Sequence, residues 1–292
     1  MDRFTAGHSI RYTKGHGAEN DFVIIEDADA VFDPDAAWVA AVCDRRAGIG
    51  ADGLLRVVPT KSMPGYEADS AQADWFMDYR NADGSIAQMC GNGVRVFARY
   101  LVEQGLAEPG RFAVATRGGV KPVVVPADGR GDVTVSMGRA VWPEGNAEVL
   151  VQGEWLPSVN VDMGNPHAVV FVSDVAQAGP LTQRPQLRPA EVYPEDVNVE
   201  FVAARGPQRI DMRVFERGVG ETRACGTGAC AAMVAAARRD GAAPGTAYEV
   251  RLPGGVLSIV EHEDGGIEMT GPAVLVARGE LLAGFPFGGS GN

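Results

Sequence analysis

Apolar and polar positions alternate along most of this chain, the mark of strands with one face in a core and the other outside it. In "IRYTKGHGAENDFVIIED" (residues 10–27) the pattern predicts a strand, a polar glycine-rich loop and a second strand at "FVII". "GADGLLRVVP" (50–59) and "DWFMDYRNADGS" (74–85) predict strands that end in turn residues. "RFAVATRGGVKPVVVPADGRGDVTVSM" (111–137) predicts antiparallel sheet with glycine-rich turns. The second half repeats this grammar. "EWLPSVNVDMGNPHAVVFVSD" (154–174) predicts two strands around a loop, and "NVEFVAA" (198–204) and "IDMRVFERGVGET" (210–222) predict more. "TAYEVRLPGGVLSIVEHEDGGIEMTGPAVLVARGEL" (246–281) closes with hairpins.

Helical spacing appears in three places. "DAAWVAAVCDR" (35–45) places Ala37, Val39, Ala40, Ala41 and Cys43 at helical intervals. In "AQMCGNGVRVFARYL" (87–101) and its continuation, Val94, Phe97, Ala98, Leu101 and Val102 make one apolar stripe. Arg95, Arg99 and Glu103 fall four apart on another face, and Gly105 is placed to end the helix. In "TRACGTGACAAMVAA" (222–236) the helix is apolar nearly all round, as expected of one wrapped by sheet. Arg238 and Arg239 suit its last turn and Gly241 its stop. Both of the latter helices begin at a Cys-Gly-polar-Gly sequence, at Cys90 and Cys225, about half a chain length apart. Each half is thus many strands plus one cysteine-led helix, which suggests an internal duplication.

Composition narrows the field. With 292 residues, 46% of them hydrophobic, the chain can build a sizeable core or two domains. The net charge of −12 disfavours nucleic acid and anionic membranes as partners. The absence of a long apolar run or an apolar signal core leads to an expectation of a cytoplasmic protein. The four cysteines, Cys43, Cys90, Cys225 and Cys230, form no C-x-x-C pair, so neither a metal site nor a disulfide scaffold is expected. Cys43 and Cys230 sit inside apolar helical runs and read as buried, inert residues.

A cysteine at a helix N-terminus is different. The first N–H groups of a helix lack partners and its dipole favours negative charge, so the thiol can be acidified and a carboxylate held beside it. Glycines at 91, 93, 226 and 228 let backbone approach a ligand. Two matched thiols suit stereoinversion at an α-carbon: one thiolate removes the proton from one face and the other thiol delivers a proton to the opposite face. Donors aimed at the substrate carboxylate would stabilise the carbanion.

At these residues the sequence resembles the diaminopimelate epimerase family. "GAENDF" (17–22), "NADGSIAQMCGNG" (81–93), "MGNPHAV" (163–169), "VNVEF" (197–201) and "ERGVGETRACGTGACA" (216–231) resemble its signatures in their usual order. The resemblance implies an α+β fold of two pseudo-symmetric domains, each a mostly antiparallel or mixed sheet curled around a central buried helix. The expected domains are 1–128 plus 272–292, carrying Cys90, and 129–271, carrying Cys225, with the active site in the cleft between them. It implies interconversion of LL- and meso-diaminopimelate without cofactor or metal, in lysine and peptidoglycan precursor synthesis. Cys90 and Cys225 would be the two acid–base groups, with His167 near Cys90 and Glu216 near Cys225 as tuners. The N–H groups of Gly91, Asn92, Gly226 and Thr227 would hold the reacting carboxylate. Asn20, Asn81, Asn165, Asn198, Glu216 and Arg217 would bind the rest, with Arg217 on the distal carboxylate. The partner is then a small molecule, and a homodimer is left open. The chain departs from some members at Gly53, where they carry a polar amide; Gly53 is given no role, and Cys230 resembles a structural position.

Two other readings stand beside this one. A proline racemase or hydroxyproline epimerase shares the fold and the paired cysteines, but tends to have histidine where "MCGNG" has asparagine. A redox-sensing or carboxylate-binding module would bind without turnover.

Overall fold

The structure, a computed structural model, describes residues 9–145, 147–283 and 285. The first strands, β1 (Ile10–Gly17) and β2 (Asn20–Glu26), form a hairpin. Here the structure departs from the expected glycine-rich loop. β1 runs through "GHG", and the turn is only Ala18 and Glu19, with φ of 52° and 60°. Two-residue hairpin turns that continue the strand twist need such positive φ values. Gly15 serves packing instead, because a Cβ on it would stand 2.9 Å from Val96 Cγ1. Helix α1 (Ala36–Cys43) starts at Asp35, whose carboxylate accepts from the Trp38 N–H, and it buries Trp38, Val39, Val42 and Cys43. Strands β3 (Gly53–Pro59) and β4 (Trp75–Asn81) follow, and then α2 (Gly91–Glu103), β5 (Gly110–Val114), β6 (Lys121–Val125) and β7 (Val133–Arg139).

The second half contains β8 (Ala147–Val151), β9 (Glu154–Asp162), β10 (Pro166–Phe171), β11 (Leu187–Arg188), β12 (Asn198–Gly206), β13 (Arg209–Glu216) and β14 (Gly220–Glu221). Helix α3 (Gly226–Asp240) leads into β15 (Ala247–Leu252), β16 (Gly255–Glu261) and β17 (Gly266–Gly271), and β18 (Val274–Leu281) is the last strand. The chain divides into two compact units, one reaching Val135 and resuming at Pro272, the other Ser136–Gly271. The division falls inside β7, whose Thr134 and Val135 pair with Val124 and Val123 of β6. Residues 1–8, 284 and 286–292 of the expected first domain lie outside the described residues.

In the first unit the strand order is β18-β1-β2-β3-β4, antiparallel except for the parallel pair β2–β3. Helix α2 packs against β1, β2, β3, β4, β6 and β18. Strands on so many sides leave no solvated face along most of the helix. Arg95 and Arg99, expected on a face apart from the apolar stripe, are accordingly 0% and 3% exposed. Their guanidinium groups donate to Asn92 Oδ1 and to the Gly131 carbonyl. In the second unit the order is β11-β8-β9-β10-β12-β13-β15-β16-β17, with β10–β12 and β13–β15 parallel. Helix α3 packs against β9, β10, β12, β13, β15, β16 and β17. Its buried Ala229, Ala231, Ala232, Ala235 and Ala236 let these strands approach closely. The fold is α+β, dominated by sheet with few helices. No helix among the described residues is long and apolar enough to cross a membrane.

Candidate functional site

In the first unit Cys90 is the residue that caps α2. Its backbone is extended (φ −139°, ψ 116°) and its Sγ accepts from the Gly93 N–H at 3.4 Å. The thiol also donates to Asn20 Oδ1 at 3.4 Å, and Asn92 Nδ2 donates to the same oxygen at 3.2 Å. Asn20 is held in turn, its Nδ2 donating to Asp52 Oδ2 at 2.7 Å, and Asp52 pairs with Arg45 at 2.7 Å. Asn92 Oδ1 accepts from the buried Arg95 at 2.8 Å. The hairpin turn at Ala18–Glu19 thus presents Asn20 to the helix start, and the structure joins Asn20, Cys90 and Asn92 directly. Asn81 stands in one row with Gly53 and Phe22 across β4, β3 and β2, at the end of the sheet where Asn20 begins β2. Its own side chain donates to Ser85 Oγ at 3.0 Å. Gly53 has no room for a side-chain amide: a Cβ there would lie 2.5 Å from the Arg80 carbonyl oxygen and 2.6 Å from the Tyr79 ring.

In the second unit Cys225 caps α3 in the same way, its Sγ accepting from the Gly228 N–H at 3.4 Å with Thr227 Oγ1 also at 3.4 Å. Helix geometry leaves the N–H groups of Gly226 and Thr227 without intrahelical acceptors, as it does those of Gly91 and Asn92. His167, in β10, is fully buried, with Nδ1 2.6 Å from Glu200 Oε1 and Nε2 3.1 Å from Asn165 Oδ1. Asn198, at the start of β12, accepts from the Arg217 N–H at 2.9 Å and donates to the Pro166 carbonyl at 3.1 Å, so it ties three segments together. Glu216 accepts from the Thr222 hydroxyl. Arg217 is exposed, with Nη1 donating to the Glu195 carbonyl at 3.1 Å. The family resemblance implies a place for His167 near Cys90; His167 lies in the second unit, where its ring nitrogens face Glu200 and Asn165.

The expectation that the helix start acidifies the thiol is corrected at Cys225. Burial pushes this thiol well above its ordinary value, the carboxylates of Glu216 and Glu200 add to the rise, and the Thr227 hydroxyl and Gly228 N–H only partly offset it. A thiolate here would lose water and face two like charges, both of which oppose the dipole of the helix. Burial and these carboxylates thus favour the protonated thiol at Cys225. Cys43, buried in α1, is pushed up to about 12 by burial, in keeping with an inert role. Among the described residues no group of three or more His, Cys, Asp or Glu could hold a metal ion.

Glu200 and Asp52 are the residues that the reading of the sequence missed. Glu200 is fully buried in β12, between valines and Phe201 that are buried as well. The available signal was a carboxylate inside an otherwise apolar strand, since such groups are almost never fully buried unless paired. Asp52 gave no signal, because an aspartate before glycine reads as a turn residue.

Against this geometry, the family model described as "Diaminopimelate epimerase" matches residues 12–143 and 159–276. A diaminopimelate epimerase of Streptomyces coelicolor is 60% identical over 93% of this chain and 95% of its own length. That of Thermobifida fusca is 48% identical over 93% and 98%. Among solved structures, a hydroxyproline epimerase from Agrobacterium vitis superposes with a TM-score of 0.67 at 17% identity, covering 94% of this chain and 92% of its own. A Bacillus anthracis phenazine biosynthesis protein of the PhzF family gives 0.66 at 18% identity, over 94% and 99%. At these identities the structural likenesses establish the fold alone, whereas the family model and the close relatives cover nearly all of the sequence that forms both cysteine-capped helices. The chain belongs to the diaminopimelate epimerase family.

Proposed function

We propose that this protein interconverts LL- and meso-diaminopimelate by moving a proton on and off one α-carbon between Cys90 and Cys225. The observation that carries the reading is the matched capping of two helices by thiols, each accepting from a glycine N–H at 3.4 Å, in a member of this family. In one direction the Cys90 thiolate takes the α-proton, so that the Cα–H bond breaks and an S–H bond forms. Cys225 then gives its proton to the opposite face of the carbanion. The reverse reaction exchanges the roles. The N–H groups of Gly91, Asn92, Gly226 and Thr227 would hold the reacting carboxylate, where negative charge develops. Asn20, Asn81, Asn165, Asn198 and Glu216 would orient the remaining polar groups. The reading places the enzyme in the cytoplasm, acting on a small molecule and on neither nucleic acid nor membrane.

The test is the fate of the α-proton. Purified protein in heavy water is expected to incorporate deuterium at the α-carbon of diaminopimelate as the isomers interconvert, and to leave proline and hydroxyproline unexchanged. Binding without exchange would favour a carboxylate-binding module, and exchange into proline would favour the racemase reading. Arg217 supplies a second check. Its guanidinium, exposed with Nη1 on the Glu195 carbonyl, would be buried against a distal carboxylate in the complex, and Arg217→Ala is then expected to cost about 2 kcal/mol or more, roughly a 30-fold rise in KM. An unchanged KM would remove Arg217 from the site.

A further inference from the structure

We propose that Glu200 is a positioning residue that keeps a proton on His167 Nδ1 and repels negative charge from Cys225. Its carboxylate is wholly buried, and Oε1 lies 2.6 Å from His167 Nδ1. The same oxygen lies against the first turn of α3: a Cβ added to Gly228 would meet Glu200 Oε1 at 2.7 Å and Cys225 Sγ at 3.3 Å. Gly228 is thus the opening through which the carboxylate reaches the helix start. The other oxygen, Oε2, is buried with no hydrogen-bond partner among the described residues. A carboxylate in that position is stabilised by the imidazole N–H on one side and by the positive end of α3 on the other. It thereby occupies the field that would otherwise favour a thiolate at Cys225.

The equivalent place in the first unit is built differently. A Cβ added to Gly93 would meet Cys90 Cβ, Leu55 Cδ2 and Phe22 Cζ at 3.4 to 3.5 Å, with no carboxylate among its nearest neighbours. The two thiol-capped helices are alike in backbone, and the glycine three residues into each meets a different packing: apolar side chains at Gly93 and the Glu200 carboxylate at Gly228. Cys225 faces Glu216 from β13 and Glu200 from β12, and Glu200 also faces His167 from β10. Such an arrangement makes Cys225 the thiol, and hence the acid, of the resting protein. The overall equilibrium between isomers is fixed by the substrates, so this bias redistributes kcat and KM between the two directions without altering the ratio of kcat/KM values.

The inference rests on the proposed proton transfer at Cys225, but its test does not need turnover. In Glu200→Gln, alkylation of Cys225 by iodoacetamide, followed by peptide mass mapping across a pH series, is expected to be faster by about tenfold or more at a fixed pH, the effect of one unit in thiol acidity. Cys43 and Cys230, 4% and 0% exposed, lie deeper than Cys225 at 7% and serve as the control for folding, since both should stay unmodified. An unchanged Cys225 profile with both controls protected would overturn the proposal. Should the variant unfold and expose the controls, nitrogen-15 correlation spectra of the wild-type His167 ring still decide the matter. Protonated Nδ1, with or without a proton on Nε2, is the expected result, and a ring protonated on Nε2 alone would overturn it. Failure of epimerisation alongside the expected alkylation and ring spectra would count against the proposed reaction and not against the placement of Glu200.

Discussion

Cys90→Ala and Cys225→Ala are each expected to lower the rate of epimerisation by about 10²–10⁴-fold, the contribution of a positioned acid or base. Each thiol caps its own helix, so in the two-base scheme neither can replace the other on its own face of the substrate carbon. Cys43→Ala and Cys230→Ala are expected to retain most of the activity. Cys43 is packed among Trp38, Val39 and Val42 on α1, and Cys230 is 0% exposed inside α3. Serine at position 90 or 225 should leave slow one-sided exchange, because one competent base remains. The measurement is the interconversion rate of the purified isomers, with deuterium incorporation followed separately. If either alanine variant worked at close to the wild-type rate, the two-base scheme would be wrong.

The second large effect is on stability. Asp78 is fully buried in β4 and accepts from three arginines: Arg117 at 2.6 Å, Arg80 at 3.2 Å and Arg56 at 3.3 Å. Asp27, also buried, holds Arg56 from the other side at 2.6 Å. Asp78→Ala would leave these cations in a low-dielectric interior with too few counter-charges. Breaking a buried pair in this way costs about 3–5 kcal/mol, a large share of the stability of an ordinary domain. Urea denaturation followed by circular dichroism is expected to show a matching fall in midpoint; a loss below about 1 kcal/mol, the worth of an exposed pair, would contradict this account.

The same carboxylates set the response to acid. Burial pulls the Asp78 carboxyl up, but hydrogen bonds and charge from Arg80 and Arg117 outweigh it, and the group lies below its ordinary 3.8. Asp21 is likewise raised by burial and lowered further by Arg45 and Lys14, ending at about 2. A carboxyl depressed in the folded state contributes stability above its unfolded value, and that stability is lost as pH falls through the folded value. Stability should therefore decline from about pH 4 towards pH 2, and Asp21→Asn should flatten this limb. An acid limb of equal slope in the variant would show that Asp21 does not carry it.

The alternating pattern and the two Cys-Gly-polar-Gly helix starts were legible because they are local properties. Strand alternation depends on residues two apart, and the capping of α2 and α3 depends on residues within one turn of Cys90 and Cys225. The family signatures likewise lie in short continuous stretches. The stop signals at Gly105 and Gly241 were local too, and both glycines have positive φ, at 68° and 64°. What the sequence could not decide was the environment of each group. Arg95 and Arg99 read as one face of an amphipathic helix, and only the strands wrapped around α2 determine that this face is buried. Gly15 read as part of a loop, and only the approach of Val96 makes it a packing position within β1.

At Cys225 the local rule and the tertiary structure pull in opposite directions. The helix start alone favours a thiolate. Burial, together with Glu216 and Glu200, favours the thiol, and these carboxylates lie 9 and 25 positions away in the sequence, brought close only by the register of β12 and β13 under α3. The sequence by itself determined which thiols cap the two buried helices, because capping is local. The tertiary structure decided the direction in which the Cys225 thiol is shifted, because desolvation and through-space charge depend on neighbours that no short stretch of chain contains.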